Sequence, residues 1–186
     1  MKTITISILI GIAGLMIFQT ALAQERTTDR LWVSPNAEVI QTIGLTEIRV
    51  TYGRPSVNDR EIFGGLVPYD RWWRTGANES TVVVFPEDVY VEGELVPEGV
   101  YSLYTIPRAS GDWIVIINNK LSWGTQYDEA EDFLRVEVTP QEAHHMEQMM
   151  IYFENVKLEQ GDLVIHWDTV KVPVTIAPVA ELPEEE

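Results

Sequence analysis

Residues 82–117, VVVFPEDVYVEGELVPEGVYSLYTIPRASGDWIVII, decide the fold. Residues 82–85 form an unbroken apolar run, the pattern of a strand covered on both faces. Val89, Tyr90 and Val91 are separated from Glu94, Leu95 and Val96 by Glu92-Gly93, and a two-residue link carrying glycine predicts a hairpin. Residues 100–106 and 113–117 predict two further strands, joined by a loop at 107–112 that contains Ser110-Gly111. Short strands linked by turns, with no βαβ alternation, predict an antiparallel all-β domain.

The same pattern extends outward. Residues 37–43 and 47–52 alternate, the second placing Ile48, Val50 and Tyr52 on one face. Leu134, Val136 and Val138 alternate with Arg135 and Glu137, and residues 149–153, 163–167 and 170–176 supply three more strands. Pro173 has no donor for a ladder, so strand 170–176 is expected at a sheet edge. Helical candidates are confined to residues 127–133 and 141–147, at most one or two short helices. About nine or ten short strands in one domain imply an antiparallel β-sandwich or jelly roll, with a closed barrel as the alternative.

The ends of the chain read differently. Met1-Lys2, an apolar run from Ile4 to Phe18, and Ala21-Leu22-Ala23 have the layout of a secretory signal peptide over residues 1–23, cleaved after Ala23. The run is short for a membrane span of about 20 residues. Residues 24–36 read as a polar leader, 37–177 as the β-sandwich domain, and 178–186 as a disordered acidic tail. The sequence thus predicts export to the periplasm or beyond, with no transmembrane segment after cleavage. The chain has no cysteine, which excludes a lipoprotein and a disulfide framework and leaves a packed core to stabilise about 160 residues. A net charge of −16 argues against nucleic acid and anionic membrane surfaces as partners.

The segment most apt for chemistry is residues 54–79, RPSVNDREIFGGLVPYDRWWRTGANE. It holds Arg54, Arg60, Arg71 and Arg74, four of the nine arginines, beside Tyr69, Trp72 and Trp73. Arginine pairs bidentately with carboxylate or phosphate and stacks on aromatic rings. Two readings stay open. In one, Arg54, Arg60, Trp73, Arg74, Asn78 and Glu79 bind a polar or carbohydrate-like ligand, the arginines fixing it, the tryptophan stacking, and Asn78 and Glu79 hydrogen-bonding. In the other, the segment is a long connection neutralised by its own Asp59, Glu61, Asp70 and Glu79, with one tryptophan in the core and the other over the sheet edge.

Several motifs carry a family resemblance: Ser34-Pro35, Gln41-Thr42-Ile43-Gly44-Leu45-Thr46, Val50-Thr51-Tyr52-Gly53-Arg54-Pro55, Trp73-Arg74-Thr75-Gly76-Ala77-Asn78-Glu79, and Leu95-Val96-Pro97-Glu98-Gly99-Val100-Tyr101-Ser102-Leu103. With Trp123-Gly124, Tyr127-Asp128 and Leu134-Arg135-Val136, the chain resembles the exported bacterial family called domain of unknown function 2911 over almost its whole mature length. The resemblance implies a signal peptide, a compact β-rich domain and an envelope or secreted location. That family has no assigned activity, so no catalytic residue carries over.

Other chemistries find little support. His144 and His145 are adjacent and on an extended chain point to opposite faces, and with His166 they make no H-E-x-x-H or His-x-His spacing, so no metal site is expected. No cofactor fingerprint and no nucleophile elbow occur. A glycan-directed hydrolase using Glu79 is the enzymatic alternative, needing a second carboxylate about 5–10 Å away. Trp123-Gly124 with Tyr127-Asp128 either completes a groove with segment 54–79 or is structural, with Trp123 as a core plug and Asp128 as a turn residue or partner of Arg135. The sequence therefore predicts an exported, non-catalytic binding or envelope-associated module, with hydrolase and purely structural domain as alternatives.

Overall fold

The computed structural model describes Arg26 and residues 31–179; the expected signal peptide, the rest of the leader before Leu31 and the tail beyond Val179 lie outside the described residues. Ten strands build two antiparallel sheets: β1 (Asn36–Ile43), β2 (Thr46–Gly53), β3 (Thr81–Phe85), β4 (Val89–Val91), β5 (Glu94–Val96), β6 (Gly99–Ile106), β7 (Trp113–Asn118), β8 (Asp132–Val138), β9 (Gln141–Glu154) and β10 (Gly161–Pro178). One sheet runs β1-β2-β3-β6-β7-β8 and the other β5-β4-β10-β9. Among the described residues there is no α-helix, only a 3-10 turn at Glu129–Glu131 capped by the Asp128 side chain, and no helix long and apolar enough to cross a membrane. The domain is a β-sandwich, as the strand pattern predicts.

The alternation of the strands builds the core. Ile48, Val50 and Tyr52 of β2 are all buried and meet Met149, Ile151, Leu163, Ile165 and Trp167 of the facing sheet in one hydrophobic cluster. The strand at 81–85 is covered on both faces: Val83 and Phe85 face that cluster, while Val82 is buried on the opposite side. Beside it on the outer face, Tyr104 of β6 lies beneath Trp72 and Tyr127 at ring distances of 6.1 and 4.9 Å. Glu92 and Gly93 both take positive φ (50° and 84°), the requirement of the tight turn joining β4 to β5.

Two expectations are corrected. Residues 141–147 are not helical: Gln141, Glu142 and Met146 pair with Lys171, Val170 and Asp168, making this stretch the first half of β9. Its Glu, Gln, Ala and Met favour a helix locally, and pairing along the length of β10 overrides that weak preference. Nor is strand 170–176 an edge. It fuses with 163–167 into the 18-residue β10, flanked by β9 and β4, through an irregularity where Asp168 takes φ 53°. Pro173 falls beyond the last β9 pair at Lys171 and before the first β4 pair at Ile176, so neither ladder needs its missing donor.

Candidate functional site

Segment 54–79 leaves β2, crosses the gap between the sheets and returns to β3, closing one end of the sandwich. Its start is pinned to β9: Val57 N–H donates to Glu147 O (2.8 Å), Met149 N–H to Pro55 O (2.9 Å), and Arg54 Nε to Met149 O (2.8 Å). Its far end is pinned to the other sheet, where Trp73 and Thr105 exchange backbone hydrogen bonds of 2.7 and 2.9 Å beside the start of β3. Between these anchors the backbone is forced into unusual turns. Five non-glycine residues take positive φ, among them Thr75 at 53°. A β-branched residue in that region is strained, and such strain clusters at functional sites. Thr75 is held by its hydroxyl to Thr105 Oγ1 (3.2 Å) and by its carbonyl to the Thr81 hydroxyl (2.7 Å).

A cavity of about 420 Å³ opens under this segment. Trp72, Trp73 and Trp167 form its aromatic lining, Pro55, Leu66, Val67 and Pro68 add apolar surface, and Val33 and Ser34 of the leader contribute to its wall. Trp73 stacks on Trp167 (5.7 Å, 20°), and Phe63 meets both edge-on. Trp72 is instead half-exposed and stacks on Tyr127 (5.0 Å, 30°). The two adjacent tryptophans thus divide, Trp73 toward the core and Trp72 over the outer sheet face above β6, not over the sheet edge as expected. Charge enters the lining only as Arg60 and Arg74, with no carboxylate, lysine or histidine among the lining residues.

Arg74 is the unusual group. Its side chain makes no hydrogen bond or ion pair among the described residues, and its Nε is buried without an acceptor. Burial pulls its pKa below the ordinary arginine value, with the Tyr104 phenol acting the other way. The stem runs directly beneath the 124 backbone: a Cβ on Gly124 would fall 2.1 Å from Arg74 Cδ, so only glycine admits this path. Trp167 adds a second orphaned donor, its Nε1 being buried without a partner although the ring is only 1% exposed. Buried donors without acceptors are uncommon in folded proteins and call for a specific reason.

The self-neutralised reading of the segment does not hold. Among the described residues none of Arg54, Arg60, Arg71 and Arg74 forms an ion pair with a carboxylate. Arg54 is spent on the Met149 carbonyl, and Arg60 caps its own loop through Val57 O (2.9 Å) and Ser56 O (2.5 Å). The one segment carboxylate in an ion pair, Glu79, takes its cation from outside: Arg26 Nη1 lies 3.2 Å from Glu79 Oε2, both side chains 6% exposed.

Of the six residues singled out by sequence, Arg60, Trp73 and Arg74 line the cavity, whereas Arg54, Asn78 and Glu79 do not. Asn78, at φ 67°, ties the leader by donating from Nδ2 to Ser34 O (3.0 Å). Sequence reasoning missed Trp167, Val33, Ser34, Ser56 and Asn58. Gly124 and Thr125 join the lining from the second aromatic cluster, so the signal for them was there. Trp123 itself is no core plug. It is 42% exposed, stands 6.0 Å from the Trp32 ring, and bridges to Glu79 through the backbone. Asp128 caps the 3-10 turn and meets Lys120 (3.4 Å), while Arg135 pairs with Asp132 and Glu129. Tyr127, half-buried and donating to Asp132 Oδ2 at 2.6 Å, has its phenol pushed up to about 12 by desolvation and that hydrogen bond.

The histidines lie elsewhere. His166 donates from Nε2 to His144 O (3.0 Å), its Nδ1 lies 3.3 Å from Tyr152 Oη, and burial lowers its pKa. No group of three or more His, Cys, Asp or Glu able to hold a metal occurs among the described residues.

Compared with known proteins, residues 34–176 match the family described as protein of unknown function, DUF2911. The chain belongs to that family. No curated protein and no solved structure matches it. The matched span contains the whole of segment 54–79 and Trp167, so this DUF2911 domain includes nearly every residue of the cavity lining.

Proposed function

We propose that this DUF2911 protein is a non-catalytic binding module that takes a small polar ligand into the cavity beneath segment 54–79. The observation that carries the reading is Arg74, a guanidinium on the cavity wall with no acceptor of its own among the described residues. A volume of about 420 Å³ lies in the range of small-molecule sites, which are mostly apolar with a few convergent polar groups. Trp72 and Trp73 provide flat faces on which a ring can rest, including the apolar face of a sugar. The lining lacks paired acid and base, which supports binding over catalysis. Glu79 gives the hydrolase alternative no support, because Arg26 holds its carboxylate and it stands outside the lining.

The reading includes export: cleavage after Ala23 would leave Arg26 as the third residue of the mature chain, and N-terminal sequencing of the native product tests this. Binding is tested by calorimetry against a panel of glycans and small metabolites. Arg74→Ala is expected to weaken binding roughly 10- to 100-fold, the value of a charge-assisted hydrogen bond, with circular dichroism unchanged. Binding that survives both Arg74→Ala and Trp73→Ala in folded protein overturns the proposal.

A further inference from the structure

We infer that the ligand is a small organic carboxylate with a flat apolar body, its carboxylate on Arg74 and its body against the tryptophan wall. This rests on the binding reading above and narrows it to one chemical class. The chain carries 29 acidic residues and a net charge of −16, yet the cavity lining contains two arginines and no acid. That local reversal of charge selects an anion.

The hydrogen-bonding inventory points the same way. Arg74, which gives none of its guanidinium donors to an acceptor among the described residues, is a donor only. A carboxylate is acceptor only and matches a guanidinium fork, whereas a sugar hydroxyl brings a proton that also needs an acceptor. One guanidinium is uncommitted, since Arg60 already gives two of its nitrogens to Ser56 O and Val57 O. The cavity is also far larger than one inorganic ion, and its aromatic and proline surface requires an apolar partner to fill it.

The test is a matched series on one arene: hydrocinnamate, its primary amide, the corresponding amine, and phenyl phosphate, together with a neutral disaccharide, titrated into the mature protein by calorimetry. Hydrocinnamate is expected to bind about ten-fold or more tighter than the amide, with the amine not binding. Arg74→Gln should erase that preference, and Arg71→Gln, altering an exposed arginine outside the lining, should leave it intact. The amide or the disaccharide binding as tightly as the acid overturns the inference while the binding module stands. Preference for phenyl phosphate overturns it in favour of a phosphate ligand. Silence from the whole series and from the glycan and metabolite panel overturns both readings. The wild-type series decides the matter even if Arg74→Gln does not fold.

Discussion

Arg26 and Glu79 form a buried pair whose two halves come from opposite sides of the domain boundary expected from composition. Arg26 donates to Glu79 Oε2 and also to the carbonyls of Ser80 (2.6 Å) and Thr51 (3.3 Å), so the guanidinium is held by backbone as well as by charge. Removing one member of such a pair strands the other in a medium that solvates it poorly. Arg26→Ala is therefore expected to cost about 3–5 kcal/mol in urea unfolding. The double variant Arg26→Ala/Glu79→Gln should lose less than Arg26→Ala alone, because no unpaired charge remains. Additive losses would mean that the contact is packing and not electrostatics.

At the scale of elements, the alternating strands and the β4–β5 hairpin are legible because one sheet face is apolar and the turns need glycine. The first half of β9 is not, since its residues are mostly exposed and carry no period-two signal; long-range pairing with β10 decides its conformation. The site divides in the same way. Arg60, Trp73 and Arg74 announce themselves by density in one loop, whereas Trp167 reaches the cavity only because β10 faces that loop across the sandwich. The irregularity of β10 is itself clamped from β9: His145 bonds Asp168 Oδ1 (3.0 Å) and Glu147 Oε2 (3.3 Å). These hydrogen bonds to Asp168 and Glu147 raise the His145 pKa above its ordinary value. Its contribution is then fully present below the ordinary histidine value of about 6.5 and is lost as pH rises through the raised value. His145→Gln should lower the melting temperature relative to wild type at about pH 5 and differ little at about pH 9. A difference that does not change with pH would show that the ring acts without its charge.

Across the whole molecule, the described residues of the leader pack against the folded domain. Residues 33 and 34 help wall the cavity, Asn78 fastens Ser34, and Arg26 neutralises a buried carboxylate. A chain started at residue 37 keeps every strand but the first residue of β1, yet loses all three contributions. Such a chain is expected to keep its β-type circular dichroism, to lose at least the roughly 3–5 kcal/mol assigned to the ion pair, and to bind no ligand. Against a total stability of about 5–15 kcal/mol, that places it close to unfolding. Full stability in the shortened chain would return the leader to the status of a linker.

The stacked pair Trp73 and Trp167 has an optical consequence. Two indoles with centroids 5.7 Å apart share their excited states, so their near-ultraviolet circular dichroism belongs to the pair and depends on its angle. One indole is contributed by the loop and the other by the facing sheet. A molecule entering beside them changes that coupling, and the cavity therefore carries its own spectroscopic reporter without any added label.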